Sequence, residues 1–401
     1  MNVNGQPRRA AAQKGARASI LFVAPSAKFF LSHRLPLALG AQAAGFEATV
    51  ACPQDADCLR IAAHGIGHVG LPVHRGGLHP WRDARTLWRL HGIMRMLRPD
   101  VVHLITAKPA LLGGLAARWL GSPTVTAITG LGSAFMQEGL IAKLVQTLLF
   151  GGYRTGLGHR ENVFIFQNHT DMALFQKQGL LVGAAVRLIP GSGVDLQRIT
   201  PQVLPDGPPL VLMPSRMLRD KGVMEFAEAA RLLIQQGWRA RFRLLGDPDL
   251  DNPTSLTQAD LRAIERTSPV EWHPHSADIA GQLAAASIVA LPSYREGFPK
   301  SLIDAAAAGR VCVATDVPGC RDAVLDGVTG LLCQPRNPDS LAQAIASLLN
   351  NPERMARMGA AARQHAERHF DIANVVEAHL TIYQQLSGIN GVRPDLAEPI
   401  A

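Results

Sequence analysis

Short runs of apolar residues alternate with longer Ala/Leu-rich segments along this chain, and that alternation restricts its fold more than any other feature. The apolar runs cover residues 20–24, 48–52, 101–105, 125–128, 163–166, 210–213, 242–245, 270–272, 288–291 and 311–314. Buried parallel strands read as continuous apolar runs of this kind, and the helical patterns between them are typical of βαβ units. The sequence therefore predicts an α/β fold with doubly wound parallel sheets.

A proline-rich stretch divides this pattern into two series. Residues 200–209 contain four prolines, and a fresh apolar run begins directly after them. The predicted organisation is a basic disordered tail over 1–18, a Rossmann-like domain over 19–195, a second one over 196–370, and a C-terminal helix within 371–401 that packs back towards the first domain before a final tail. Ligands bind beyond the carboxyl ends of parallel strands, so the two domains are expected to face a cleft.

The net charge of +8 is confined to the first half of the chain. Residues 1–195 carry 20 Lys and Arg against 9 Asp and Glu, a net of +11, whereas residues 196–401 carry 20 against 23, a net of −3. A one-sided basic half indicates an anionic partner such as a phosphorylated substrate, a membrane surface or nucleic acid. Aromatic residues are only 5% of the chain and no nucleic-acid motif occurs, so we expect no nucleic-acid partner.

Other compositional features exclude further classes. The five cysteines form no C-x-x-C pair and no Cys/His ladder, which predicts buried thiols in a reducing cytosol and no metal site. No window of about 20 residues is apolar throughout, so no membrane-spanning helix is predicted. The basic tail over 1–18 is interpreted as a disordered arm, with a weak membrane tether as the alternative.

Residues 291–304, which read LPSYREGFPKSLID, are the most informative segment. A buried strand ends at its start, a loop with Gly and Pro follows, and a helix is predicted to begin at Pro299 or Lys300. Proline suits a first helical turn, and the amides of that turn attract anions. Glu296 and Asp304 could accept hydrogen bonds from sugar or ribose hydroxyls there. They could equally be an exposed loop acid and a solvated helix residue.

Two further segments place polar groups after predicted strands. Arg216 and Lys221 follow the first strand of the second series, where two cations suit a diphosphate, although ordinary surface charges are the open alternative. Gly246 and Asp247 follow the next strand, in a pattern that is also common turn chemistry.

Together the three segments resemble the retaining, nucleotide-sugar-dependent glycosyltransferases of family 4, whose GT-B fold consists of two Rossmann-like domains facing a cleft. The resemblance extends over residues 19–386 and is specific in the second domain. It also includes Gly309 and the segments 318–322 and 329–332. The family signature is Glu-x7-Glu, and here its second acid is Asp304, one methylene shorter.

The resemblance implies a role for each matching residue. Arg216 and Lys221 would neutralise the leaving nucleoside diphosphate, and Glu296 would contact the donor sugar; these three are the implied catalytic residues. The implied donor-binding residues are Gly246, Gly297, Phe298, Pro299, Lys300, Ser301, Leu302 and Asp304. No cofactor or metal is implied, since cations and a helix start would stabilise the leaving group.

The first domain is expected to bind the acceptor through loops that follow its strands. The candidate residues are Phe29, Phe30, His33, Arg34, Thr129 and Gly130. The first of these loops resembles the variant found in bacterial enzymes that extend lipid-linked saccharides. Phe29 and Phe30 could alternatively be core residues. Thr129 stands where many relatives have histidine, and His103 is interpreted as a packed residue rather than a catalytic base.

Two helical segments of the first domain suggest a membrane surface. Helical spacing within residues 82–98 puts Arg82, Arg85 and Arg89 on one face, and residues 139–150 form an apolar helix in which only Lys143 is charged. These features indicate docking on anionic lipid, or else core-packed helices with a solvated basic side.

The expected function is that of a metal-independent retaining hexosyl- or N-acetylhexosaminyltransferase. It would move a sugar from a nucleotide-sugar donor, with UDP favoured, to an undecaprenyl-diphosphate-linked saccharide in surface polysaccharide or glycan assembly. The expected location is the cytoplasm, peripheral on the inner face of the cytoplasmic membrane. The alternatives are a GDP-mannose-dependent mannosyltransferase and a UDP-N-acetylglucosamine 2-epimerase of the same fold, although the spacing of Glu296 and Asp304 favours transfer.

Overall fold

A computed structural model describes residues 17–74, 79–130, 139–159 and 161–388. The predicted N-terminal tail, apart from residues 17 and 18, lies outside the described residues, and so does the tail predicted to follow the C-terminal helix. Within the described residues, no helix is long and apolar enough to cross a membrane.

The first sheet has seven parallel strands in the order β3-β2-β1-β4-β5-β6-β7. They are β1 Ser19–Val23, β2 Glu47–Cys52, β3 Gly67–Gly70, β4 Val101–Ile105, β5 Thr124–Ile128, β6 Asn162–Phe166 and β7 Ala185–Leu188. The helices between them are α1 Ala27–His33, α2 Leu35–Ala43, α3 Cys58–Ala63, α4 Pro80–Leu97, α5 Ala107–Leu120, α6 Leu140–Leu157 and α7 His169–Lys177. Central strands such as β4 and β5 are buried at every position, as their continuous apolar runs predict.

The second sheet has six parallel strands in the order β10-β9-β8-β11-β12-β13. They are β8 Leu210–Pro214, β9 Arg241–Leu245, β10 Val270–His273, β11 Ile288–Leu291, β12 Val311–Thr315 and β13 Gly330–Cys333. The helices of this part are α8 Val223–Gln235, α9 Gln258–Thr267, α10 Ile279–Ala285, α11 Lys300–Ala307, α12 Cys320–Ala323, α13 Pro338–Leu349 and α14 Pro352–His369. The predicted α/β class with two doubly wound parallel sheets is confirmed.

The chain passes between the two sheets twice, and the two crossings pair with each other. Val194 donates its amide to Phe370 O at 2.8 Å, and Ile372 donates to Val194 O at 3.0 Å. A β-carbon on Gly193 would lie 2.7 Å from the Cα of Ile372, so glycine permits this close approach. The final helix, α15 Ile372–Ser387, then packs Tyr383 and its neighbours into the core of the first sheet.

The helical segment after β1 is divided into two helices, α1 and α2. Arg34 lies between α1 and α2 with φ −132°, outside helical geometry, and Pro36 occupies the first turn of α2. Proline has no amide to donate to the preceding turn and clashes with it, so a new helix begins there. Asn337 and Asn351, each followed by proline, are the N-caps of α13 and α14, in which each asparagine side chain accepts an amide of the following turn.

A buried histidine pair beneath α15 predicts that the fold weakens in acid. His103 of β4 bonds Tyr383 Oη through Nδ1 at 2.6 Å, and its ring stacks on His379 at 5.7 Å. Burial, with Arg34 nearby, holds the pKa of His103 well below its ordinary value of 6.5 and lowers the pKa of His379 to about 3. Both rings are therefore neutral in the folded state at pH values where the unfolded chain takes up protons.

The stability contributed by each neutral ring is complete above pH 6.5 and is lost as the pH falls below that value. Each histidine then costs about 1.4 kcal/mol of unfolding free energy per pH unit. We expect the melting temperature to fall between pH 7.5 and 5.5, and to fall less in His379→Asn. If the melting temperatures of the wild-type protein and of His379→Asn fell equally with pH, the loss of stability in acid would not come from His379.

Candidate functional site

The candidate donor residues lie at the point where the strand order of the second sheet reverses. β8 has β9 on one side and β11 on the other. The loops that follow β8 and β11 leave the same carboxyl edge and diverge, which opens the crevice where open α/β sheets bind ligands. Arg216 and Lys221 lie in the first loop and Glu296 in the second. In the first sheet the equivalent reversal lies between β1 and β4, and the loop after β1 carries the acceptor candidates.

Lys221 and Glu296 form an ion pair at the centre of this crevice. Lys221 ends a 3₁₀ turn over Arg219–Lys221, and its Nζ bonds Glu296 Oε1, which also accepts the Ser293 hydroxyl at 2.7 Å. The two charged side chains are 17% and 11% exposed, so bulk water screens the pair only weakly. The sequence placed both residues in the site but did not predict this pairing.

A glycine makes that approach possible. Gly222 has φ +78°, and a β-carbon there would lie 2.2 Å from the carbonyl oxygen of Pro292. A side chain at this position would therefore separate the two loops that carry Lys221 and Glu296.

Arg216 also has an acidic partner. Its Nη1 lies 2.6 Å from Asp249 Oδ2, while half of its side chain remains exposed. The neighbouring Gly246 has φ +149°, and a β-carbon there would lie 1.9 Å from Ser215 O, so the loops after β8 and β9 are also in direct contact. Arg216 and Lys221 are thus both held by carboxylates in the structure.

The predicted helix start is present, since α11 begins at Lys300 with Pro299 as its N-cap. The amides of Lys300 and Ser301 lie in the first turn, which has no intrahelical acceptors for them. The Leu302 amide donates to Pro299 O at 3.1 Å, so its predicted phosphate contact would require breaking that bond. The Phe298 ring is partly buried and packs edge-on against Phe370.

Asp304 is buried and paired within its own helix. Lys300 Nζ donates to Asp304 Oδ1 at 2.7 Å, one turn earlier in α11. Burial raises the pKa of Asp304, and the nearby Lys300 charge opposes that rise. The Asp304 carboxylate, whose side chain is one methylene shorter than the glutamate of the family signature, is therefore held close to α11.

The two domains meet at Gly297. A β-carbon on this glycine would lie 1.9 Å from Thr129 O and 3.0 Å from Gly130 N, so the loop after β5 contacts the loop after β11 backbone to backbone. The Asn168 side chain donates to Gly297 O at 2.8 Å from the loop after β6. The structure thus brings Thr129 and Gly130 against the donor side of the cleft.

A second interdomain contact was missed from the sequence. Arg295 forms an ion pair with Asp171, a fully buried carboxylate in the first turn of α7. Asn168 caps that helix by accepting the Asp171 amide at 2.8 Å. The sequence offered one signal for this contact, which is Asn168 and Asp171, three residues apart, shortly after the apolar run at 163–166. By itself that spacing predicts only a helix start.

His33 lies across the cleft from the donor cations. Its ring stacks on Phe29 at 4.5 Å and its Nδ1 lies 2.6 Å from Ser32 Oγ. Burial lowers the pKa of His33, and positive charge on Arg34, Lys300 and Arg216 lowers it further. A neutral imidazole therefore faces the donor side, and Lys28 lies 3.9 Å from Asp247 of the second domain.

Two acceptor candidates, Phe30 and Arg34, are buried in the first domain. Phe30 is completely buried, with its ring edge-on to Phe22 in the core of the first domain. Arg34 is 2% exposed, and its Nη1 donates to His33 O at 3.3 Å. Neither side chain is therefore open to a saccharide in this structure, and for Phe30 the alternative of a core residue holds. His103 likewise lies in the core, as the packed interpretation predicted.

Two family models match the chain across both crevices. A model described as Glycosyl transferase 4-like matches residues 19–154, and one described as Glycosyl transferases group 1 matches residues 208–351. Together they include every strand from β1 to β13 except β6 and β7.

Curated relatives and solved structures agree with the two models. An N,N'-diacetylbacillosaminyl-diphospho-undecaprenol alpha-1,3-N-acetylgalactosaminyltransferase from Campylobacter jejuni is 27% identical, over 89% of this chain and 98% of the relative. A UDP-Gal:alpha-D-GlcNAc-diphosphoundecaprenol alpha-1,3-galactosyltransferase from Escherichia coli is 25% identical, over 67% of this chain and 71% of the relative. The structure of a sucrose-phosphate synthase from Thermosynechococcus elongatus superposes with a TM-score of 0.76 at 17% identity, over 93% of this chain and 100% of the other. The chain therefore belongs to the group 1, family 4-like glycosyltransferases and has their GT-B fold.

Proposed function

We propose that this glycosyltransferase moves a sugar from a UDP-sugar to an undecaprenyl-diphosphate-linked saccharide, with retention of anomeric configuration, in the assembly of a surface glycan. The observation that carries the proposal is the convergence of Arg216, Lys221 and the first turn of α11 on one crevice, opposite the loops of the first domain. The names of the two curated relatives support the acceptor class, and one of them supports the UDP donor.

The charges of the crevice suit a nucleoside diphosphate. Lys221 and Arg216 are held by Glu296 and Asp249, and each would exchange its carboxylate for a diphosphate oxygen when the donor binds. Exchange releases Glu296 to accept a hydroxyl of the donor sugar, while Lys300 and Ser301 offer amides to phosphate. Asp304, one turn further along α11, would exchange Lys300 for a hydroxyl of the ribose.

The reaction follows from those charges. As the C1–O bond of the donor breaks, negative charge develops on the diphosphate and the sugar becomes oxocarbenium-like. Preorganised cations stabilise that charge without reorganisation at the moment of reaction. The acceptor hydroxyl attacks C1 from the face that the diphosphate leaves, and its proton passes to a diphosphate oxygen. In this mechanism the cations and the helix start supply the positive charge that a metal ion would otherwise provide.

A donor panel tests the proposal directly. The protein is incubated with UDP- and GDP-sugars and a prenyl-diphosphate saccharide, and the released nucleotide and the product anomer are measured. We expect turnover with a UDP-sugar and an α-linked product from an α-linked donor. Turnover only with GDP-mannose would replace the donor assignment, a β-linked product would exclude retention, and no transfer from any donor would overturn the proposal.

We also propose that the first domain docks on an anionic membrane through α4, α5 and α6. These helices lie side by side, and the rings of Trp88 and Trp119 are 6.1 Å apart. The exposed apolar side chains of the three helices are Trp81, Trp88, Met96, Trp119, Leu144 and Leu148. Arg82, Arg85 and Arg89 are exposed on the same helix as Trp81. Interfacial tryptophans beside arginines complement an anionic lipid surface.

Vesicle binding should depend on the exposed apolar side chains and on the arginines. We expect the protein to sediment with phosphatidylglycerol vesicles, to be released by salt, and to bind phosphatidylcholine weakly. Since each arginine contributes about 1 kcal/mol, replacing Arg82, Arg85 and Arg89 with glutamine should weaken binding about 100-fold. Leu250→Ser, at an exposed apolar position of the second domain, is the control. Equal binding to both lipids, or to neither, would contradict docking.

A further inference from the structure

Two cysteines and a histidine meet at the outer edge of the first sheet, away from the donor crevice. Cys52 ends β2, and His68 lies on the adjacent edge strand β3. The parallel register pairs His68 with Val50, so His68 projects from the same side of the sheet as Val50 and Cys52. Two potential metal ligands therefore share one face of neighbouring strands.

A short loop brings a third ligand atom to the same point. Cys58 is the first residue of α3, and its Sγ lies 3.4 Å from His68 Nε2 and 3.5 Å from Asp55 Oδ1. The ligand atoms of Cys52, Cys58 and His68 all lie within 4.8 Å of one another. Among the described parts of the chain, this is the one group of three such residues close enough to hold a metal ion.

We propose that Cys52, Cys58 and His68 bind a structural zinc ion, for which the exposed Asp55 carboxylate, next to Cys58, would turn in as the fourth ligand. Zinc bonds of about 2.3 Å to sulfur and about 2.0 Å to nitrogen or oxygen put the ligand atoms of a tetrahedral site about 3.3–3.8 Å apart. The two distances to Cys58 Sγ fall in this range before any ion is placed. Two thiolates with an imidazole and a carboxylate select zinc over the hard cations magnesium and calcium.

The surroundings of the cluster support a ligand site. Asp55 donates its amide to Cys58 Sγ at 3.4 Å, the kind of outer hydrogen bond that orients a metal-bound thiolate. Cys52 and Cys58 are buried whereas Asp55 is exposed, which provides a route for the ion. The three cysteines of the second domain are also buried, yet in the described residues they join no such cluster.

The ion would fix the loop after β2 beside the loop after β1. Ala24, at the end of β1, donates to Ala51 O at 3.0 Å, so the two loops leave adjacent positions on the sheet edge. The β1 loop carries Lys28 and His33, which face the donor domain. With four protein ligands the site is closed, so its role is structural and its test does not require the transferase reaction.

Metal content and cobalt spectroscopy test the site. Protein freed of any affinity tag is dialysed against a weak chelator, and we expect roughly one zinc per chain. Cobalt added after zinc removal should give the intense absorption of a tetrahedral ion together with a thiolate-to-cobalt charge-transfer band. Cys52→Ser and Cys58→Ser should lose that band, and Cys312→Ser, a buried cysteine of the second domain, should keep it.

The unmodified protein decides the outcome even if the serine variants fold poorly. Absence of both zinc and the charge-transfer band from the folded wild-type protein would overturn the proposal. A Cys52–Cys58 disulfide found by mass spectrometry in freshly purified protein would overturn it as well, as would full zinc retention by a folded Cys52→Ser variant.

Discussion

Lys221→Ala is expected to lower the turnover number for sugar transfer by about 10²- to 10³-fold, the loss seen when one preorganised group that stabilises developing charge is removed. Lys221 lies in a shielded crevice at the switch point of the second sheet, where its charge acts through little water. Steady-state kinetics with saturating donor measures the effect, and Lys177→Ala, an exposed lysine of the first domain, is the control. A variant with near wild-type turnover would remove Lys221 from the catalytic residues.

The pairing with Glu296 requires a second comparison, because Lys221→Ala also leaves a partly buried carboxylate with only the Ser293 hydroxyl. Removing one partner of a buried pair can cost about 3–5 kcal/mol of stability. The double variant Lys221→Ala with Glu296→Gln removes both charges. We expect it to recover much of the melting temperature that the single variant loses and none of the turnover, which separates structural loss from catalytic loss.

The central strands of both sheets could be predicted because burial on both faces imposes continuous apolar runs. The three strands without a predicted counterpart, β3, β7 and β13, are edge strands. Each of them contains partly buried or exposed positions, and β3 reads Gly-His-Val-Gly, which has no apolar run to detect. Partial exposure at a sheet edge relaxes the composition that makes central strands recognisable.

The sequence predicted which loops form the site, but it did not predict the directions in which their side chains point. Polar residues after β8 and β11 could be assigned to one crevice because parallel strands end at the same edge. Phe29 and Phe30 are neighbours in the same loop-to-helix segment, yet one stacks on His33 and the other enters the core. That difference depends on where α1 begins, which Ser26 sets by capping the helix. Pairings between distant loops, such as Arg216 with Asp249, have no local signal at all.

The contact between the two domains at Gly297 is the second position where a single substitution should strongly lower the turnover number. Gly297 lies between Glu296 and the helix start of the donor site, and its α-carbon faces the carbonyl oxygen of Thr129 across the cleft. The β-carbon of an alanine would lie 1.9 Å from that oxygen and 2.5 Å from its carbonyl carbon. Both are backbone atoms, so no side-chain rotation can relieve the overlap and the two loops must separate.

Gly297→Ala is therefore expected to reduce the turnover number by about 100-fold, the cost of displacing reacting groups by about 1 Å. The second domain should remain folded, because the overlap is with the first domain. Turnover and small-angle scattering together measure the effect: a larger radius of gyration should accompany the loss. Gly92→Ala, at a helical glycine with open space around it, is the matched control and should leave both quantities unchanged. Wild-type turnover in Gly297→Ala would show that catalysis does not require the close approach of Thr129 and Gly297, and would place the reactive arrangement in a more open cleft.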